Sequence, residues 1–222
     1  MKTLFTKNRK RDIILALVLT LCIICFAVVV TVFCKQLYYF DIDYLKIAQN
    51  TGLSKEVIQK NYDVLIQYQS LFYQGSLNLP DFVMSTTGRI HFEEVKHIFD
   101  MIQIMFVVTF GISAVMIYQN IKQKEYRFLQ LTPIFSIGIP LIIGFFAALD
   151  FDKAFVIFHK IFFRNDYWIF DYTTDPVITI LPESFFMHCF MLIILIVILI
   201  SIAMYMIYRR KRNLILEEAK SE

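Results

Sequence analysis

The stretch Ile13–Cys34, IILALVLTLCIICFAVVVTVFC, carries no charged residue. A helix rises ~1.5 Å per residue, so roughly 20 apolar residues reach across the ~30 Å hydrocarbon core of a bilayer, and this stretch is long enough to span. The basic residues ahead of it, Lys7, Arg9, Lys10 and Arg11, are those of a signal peptide. Its length, and Cys34-Lys35 where a small-residue cleavage site belongs, make it an uncleaved anchor instead. Three more stretches have the same character: Met101–Ile121, Phe128–Leu149 and Ser184–Tyr208. A chain of 222 residues that is 58% hydrophobic, with 6 Gly and 5 Pro, has more apolar surface than a soluble core of its size can bury. The expected architecture is an all-α integral membrane protein with four transmembrane helices.

Lys and Arg residues flanking the spans set the orientation. The segment 1–12 has Lys2, Lys7, Arg9, Lys10 and Arg11, the connection 122–127 has Lys122, Lys124 and Arg127, and the tail 209–222 begins Arg209, Arg210, Lys211, Arg212. With four spans these three segments share one side, which is predicted to be cytoplasmic, with both termini. Residues 35–100 and 150–183 then lie outside and are more acidic than basic. The formal net charge of +3 is explained by this asymmetry and gives no indication of nucleic-acid binding. Cys22, Cys25, Cys34 and Cys189 all fall in or at the ends of spans, so no disulfide framework is expected in the outer segments. The CxxC spacing of Cys22 and Cys25 inside an apolar helix reads as packing.

The outer segment 35–100 reads as a helical subdomain. Asp41–Gln49 is predicted helical, Thr51-Gly52 breaks it, and Ser54 is an N-cap for a helix over Lys55–Phe72. Val57, Ile58, Tyr62, Leu65 and Tyr68 give that helix a face to bury against the membrane surface or the spans. Gly75-Ser76 and Leu79-Pro80-Asp81 interrupt the pattern, and helix resumes near Gly88 or Arg89, running through His91 into the second span. Ten residues of unbroken helix would set His91 ~15 Å from Met101, so either the apolar boundary begins earlier or the substrate rises into a cleft. In 150–183, Ala154–Phe163 is too short to cross and too apolar for water. An interfacial or re-entrant helix is expected there, with Tyr167 and Trp168 at headgroup level. Pro133, Gly138, Pro140 and Gly144 in the third span permit kinks and close helix approach.

All four histidines, His91, His97, His159 and His188, fall in or beside outer segments. Imidazole exchanges protons near neutral pH without large tuning, so these are the candidate acid–base groups. HExxH, GxSxG and metal-ligand spacings of Cys and His are missing; no metal, cofactor or covalent nucleophile is called for.

Two blocks carry a family resemblance: Arg89-Ile90-His91-Phe92-Glu93-Glu94-Val95-Lys96, and Phe158-His159-Lys160-Ile161-Phe162-Phe163 followed by Trp168, Asp171, Asp175 and Ile180-Leu181-Pro182-Glu183-Ser184-Phe185-Phe186. With the span count and the two outer segments, they resemble the lipoprotein intramolecular transacylase (Lit) family over nearly the whole chain. The family more often has Met in place of Phe92 and Asp in place of Glu94. The resemblance implies a bacterial cell-membrane acyltransferase whose partners are membrane lipid and a diacylated lipoprotein. It would move the sn-2 acyl chain of the diacylglyceryl-cysteine onto that cysteine's α-amine, giving the lyso-form. It also implies His91 and His159 as the catalytic pair at the extracellular face, with the division between base and acid open. Glu94 is a candidate to orient His91, and Asp171, Asp175 or Glu183 to orient His159. Arg89 is a candidate phosphate contact or interface residue, and Trp168 belongs to the motif. His97 and His188 lie outside the family pattern. Two other readings stand beside this one. An outer-face lipid ester hydrolase would use the same histidines on water. A non-enzymatic transport or assembly protein is disfavoured because no span contains Asp, Glu, Lys or Arg. Oligomeric state is not legible in the sequence.

Overall fold

A computed structural model describes residues 9–221. Lys2 and Lys7, two of the residues that set the predicted orientation, lie outside the described residues. The described chain is helical, in the order α1 (Arg9–Phe33), α2 (Lys35–Tyr44), α3 (Ile47–Thr51), α4 (Lys55–Tyr68), α5 (Thr86–Lys122), α6 (Phe128–Leu149), α7 (Phe151–Phe162), a 3₁₀ turn (Pro176–Ile180) and α8 (Glu183–Ser221). Helices α1, α5, α6 and α8 are each long and apolar enough to cross a membrane.

The chain divides into two compact units. The first comprises the residues through Val28, Ile104–Gly144 and those from Ile193 onward. Within it, α1 buries a stripe at four-residue spacing, Leu15, Leu19, Ile23 and Ala27, each at most 8% exposed. Leu15 and Leu19 pack with Phe128, Met116 and Ile117, while Ile23 and Ala27 pack with Val197, Ile193 and Ile196. In lipid this packing stabilises by close van der Waals contact, because the tails around it are as apolar as the side chains. Val107, Phe110, Ile142 and Leu199 are more than half exposed on the outer faces, as a lipid-facing surface requires. Two buried polar pairs lie inside: Asn120 Nδ2 donates to Asp12 Oδ1 at 2.9 Å, and Ser136 Oγ meets Ser201 Oγ at 2.8 Å. Cys22 and Cys25 are free and buried, as packing residues would be. Helix α6 continues through Pro133 and Pro140. Gly138, expected to allow a close helix approach, has nothing within 4 Å of where a Cβ would stand and faces an open groove with Pro133, Leu141 and Tyr205.

The second unit, Val29–Gln103 and Phe145–Leu192, has its own core. Tyr38 stacks on Tyr62 with ring centroids 3.7 Å apart, and Phe185 meets both rings edge-on. Ile42, Ile58, Leu65, Val177 and Ile180 belong to the same buried cluster. Tyr38 is fully buried, and its hydroxyl donates to the Ile180 carbonyl at 2.6 Å, satisfying the polar end that burial would otherwise penalise. Helix α4 starts on Ser54, whose Oγ accepts from Val57 N, and its expected apolar face is the one buried. Buried Asn61 holds the following loop by donating to Asp81 Oδ2 and accepting from Asp81 N.

Several boundaries differ from expectation. Helix α4 ends at Tyr68 rather than Phe72, because Gln69 and Ser70 form turn hydrogen bonds to Ile66 and Gln67. The helix expected from Asp41 begins at Lys35 and breaks at Lys46, which adopts a left-handed φ of 54°. Helix α7 begins three residues before the expected Ala154, capped by Asp150, whose Oδ1 accepts from Lys153 N. Helix α5 is unbroken from Thr86 to Lys122, so His91 stands on the helix that carries the uncharged stretch Met101–Ile121.

Candidate active site

The first turn of α5 is fixed by its cap. Ser85 Oγ accepts from Gly88 N at 2.9 Å, and Ser85 N donates to Asp175 Oδ1 at 2.8 Å. A Cβ on Gly88 would lie 2.2 Å from Asp175 Oδ1 and 3.1 Å from Phe170 Cε1, so glycine is required for this approach. The contact ties the segment containing Phe170 to the turn that presents His91, and Phe170 lies 5.4 Å from the His91 ring.

On α7, His159 Nδ1 lies 2.8 Å from the Phe155 carbonyl one turn earlier. A carbonyl only accepts, so Nδ1 carries the proton and Nε2 carries the lone pair. The ring is sandwiched by aromatics. Trp168 stacks on it at 4.7 Å, Phe155 lies at 4.2 Å and Phe163 at 5.6 Å. Phe163 also meets His91 edge-on at 4.6 Å, and the two imidazole centroids are 6.0 Å apart. The structure therefore brings His91 and His159 together in one aromatic chamber, 5% and 8% exposed respectively.

Burial governs the protonation of both rings. Burial first, and the neighbouring His159 second, together push His91 down to about 4. Burial also lowers His159, against the opposing effect of the Phe155 hydrogen bond. Both imidazoles are then neutral near pH 7, which suits one to accept a proton and the other to donate its N–H. His91 Nδ1 and Trp168 Nε1 are buried without a hydrogen-bond partner, two polar atoms left for something else to satisfy.

The other predicted residues have separate positions. Glu94, a candidate to orient His91, instead accepts from Asn165 Nδ2 at 2.8 Å through Oε1, while its Oε2 is buried and unpartnered. Asp171 caps its own turn, accepting from Thr173 N and Thr173 Oγ1. Asp175 accepts from Ser85 N and Thr174 Oγ1, and Glu183 lies against Asp152 at the starts of α8 and α7. The observed partner of His159 Nδ1 is thus a backbone carbonyl, not one of these three carboxylates. Arg89 Nη1 donates to the Leu77 carbonyl at 3.3 Å. Trp168, expected at headgroup level, has its ring against His159. His97 is exposed, and His188 Nδ1 pairs with fully buried Asp41 at 2.8 Å. The sequence pattern does not single out Asn165, Phe155 or Phe170 as site residues. Phe155 alone had a signal, its position one turn before His159. Among the described residues no group of three or more His, Cys, Asp or Glu is placed to hold a metal ion.

Comparison with known proteins gives a consistent result. The family model described as lipoprotein intramolecular transacylase Lit matches residues 13–186. No curated protein sequence matches the chain. Among solved structures, the membrane-integral lipoprotein intramolecular transacylase Lit from Bacillus cereus is 39% identical with a TM-score of 0.91, over 97% of this chain and 98% of that one. Two structures of variants of the same enzyme also match, each with a TM-score of 0.86 and 97% of this chain covered. The histidine-to-arginine variant is 39% identical over 95% of its chain, and the histidine-to-alanine variant 38% over 96%.

Proposed function

We infer how this protein works from one premise: the chain belongs to the lipoprotein intramolecular transacylase (Lit) family. It is a multi-pass membrane acyltransferase that acts on a diacylglyceryl-cysteine lipoprotein, moving the sn-2 acyl chain to the α-amino group of the same molecule. The observation that carries our assignment of the site is the pair of buried imidazoles 6.0 Å apart in an aromatic enclosure.

The reaction needs little beyond proton management and proximity. The substrate α-amine has a pKa of about 8 and arrives mostly as ammonium. His159 is the base: its Nδ1–H is committed to Phe155, its Nε2 lone pair is free, and its pKa is lowered while retaining the raising effect of that hydrogen bond. It takes a proton from the ammonium, and the nitrogen attacks the sn-2 ester carbonyl. The C–N bond forms and the carbonyl electrons move to oxygen. His91, held neutral by burial, donates an N–H to the developing negative charge, and the unpartnered Trp168 Nε1–H is a second donor. The C–O bond to glycerol then breaks, the departing oxygen takes a proton, and the nitrogen gives up its second. The products are an amide and a free sn-2 hydroxyl, with one proton released overall. Nucleophile and ester belong to one molecule, so proximity replaces a covalent enzyme intermediate. Near-complete burial of both rings favours transfer within the substrate over attack by water, which separates this reading from a hydrolase.

We place the site at the extracellular face, with the Lys122–Arg127 connection and the Arg209–Arg212 cluster cytoplasmic. Helix α7 supports contact with the lipid surface, since Ile157, Phe158, Ile161 and Phe162 are all about half exposed or more. Mass spectrometry of a diacylated lipoprotein incubated with the protein tests the function. The expected product is a lyso-form N-acyl peptide with unchanged total acyl count; a fall in acyl count would indicate hydrolysis.

A further inference from the structure

Glu94 has a carboxylate that the mechanism above does not use. Its Oε1 is fixed by Asn165 Nδ2 at 2.8 Å, and its Oε2 is buried without a partner. A buried charged acceptor left unsatisfied is costly, and such an oxygen persists where a ligand completes it. Glu94 follows His91 by three residues on α5, so the two side chains share a helix face. Asn165 lies two residues beyond Phe163, whose ring touches both imidazoles. The carboxylate is therefore anchored between the helix that carries His91 and the segment that directly follows the helix carrying His159.

We propose that Glu94, held by Asn165, is the receptor for the substrate's α-ammonium and so selects lipoproteins whose amino terminus is free. The proposal rests on the transacylase site described above. Oε2 accepts a charge-assisted hydrogen bond from the ammonium and keeps that nitrogen beside the imidazoles until a proton is removed. An N-acylated lipoprotein has no ammonium to offer. It would leave the buried oxygen unpaired, so the receptor also turns away the reaction's own product. Asn165 is a positioning residue in this arrangement, since it fixes the rotation of the carboxylate.

The test uses a ligand that cannot react: a diacylated lipopeptide in which both glycerol chains are ether-linked, prepared with a free α-amine and with an N-acetylated one. Binding to the full-length protein in detergent is measured by quenching of Trp168, the one tryptophan of the chain. The unaltered protein is expected to bind the free-amine form roughly ten- to hundredfold more tightly, the range of one hydrogen bond to a charged group. Glu94→Gln keeps an oxygen for Asn165 and removes the charge. It is expected to bind both forms alike, at the affinity of the unaltered protein for the N-acetyl form. Retention of the preference in Glu94→Gln overturns the proposal, as does equal binding of both forms by the unaltered protein. Turnover of the native ester substrate is followed with the same preparation. A protein that transacylates without discriminating the amine refutes the receptor alone, whereas one that does not transacylate refutes the reading beneath it.

Discussion

Asp175 and Gly88 form a contact whose removal can be predicted in some detail. Asp175 is 3% exposed, accepts from Ser85 N and Thr174 Oγ1 at 2.8 Å each, and sits at the N-terminus of α5. Asp175→Ala removes a charged acceptor from a backbone N–H, about 1.5–3 kcal/mol, and a favourable charge at the helix start, about 0.3–1 kcal/mol. The expected destabilisation is ~2–4 kcal/mol. Gly88→Ala places a methyl 2.2 Å from Asp175 Oδ1 and 2.9 Å from Asp175 Cγ, so it expels the same carboxylate and is expected to cost a similar amount. The pair should then be strongly non-additive: once Asp175 is Ala, the methyl at position 88 has lost its main obstacle, and the second substitution should add less than about 1 kcal/mol. The assay is a thermal melt of the second compact unit followed by Trp168 emission, with transacylation at a permissive temperature measured alongside. The single substitutions should lower the midpoint by roughly 5–10 °C. Additive losses in the double variant would refute the claim that the two residues act through one contact.

Further outcomes follow from the same geometry. Trp168→Phe keeps an aromatic face for His159 but removes the Nε1–H, and should lower kcat by roughly ten- to a thousandfold with little change in KM. His91 is held below its ordinary value, to about 4, so the fold favours its neutral form; the unfolded chain takes up the proton first as the medium is acidified. Stability should therefore fall as pH drops below about 6.5 and level off only below about 4, a trend that His91→Asn should reduce in a melt series across that range. His188→Ala strands the fully buried Asp41 and should destabilise by about 3–5 kcal/mol in a melt, while folded molecules retain their turnover.

The spans were legible because lipid crossing demands long uncharged stretches, and Ile13–Cys34 or Phe128–Leu149 can satisfy that only one way. The Ser54 cap and the Ile58–Tyr62–Leu65 face were equally local in origin. What escaped was long-range. Asp175 was expected near His159, yet its partner is Ser85, 90 residues earlier, and Glu94 finds Asn165 71 residues later. No spacing rule encodes such pairs, since they depend on how the segment after α7 folds back. The tautomer of His159 is legible in part, because a histidine four residues after a helical carbonyl can bond it, although the nearby acidic residues offer competing partners. In the sequence Gly88 signals only a helix start, and its packing role appears only once Asp175 is placed.

The central claim, that two buried imidazoles move the acyl chain, is tested most directly by time-resolved mass spectrometry of a diacylated lipopeptide with purified His91→Asn and His159→Asn proteins whose Trp168 melts match the unaltered one. Each variant is predicted to form the N-acyl lyso-product at least about a hundredfold more slowly. Turnover within a few-fold of the unaltered protein in either variant would contradict the account.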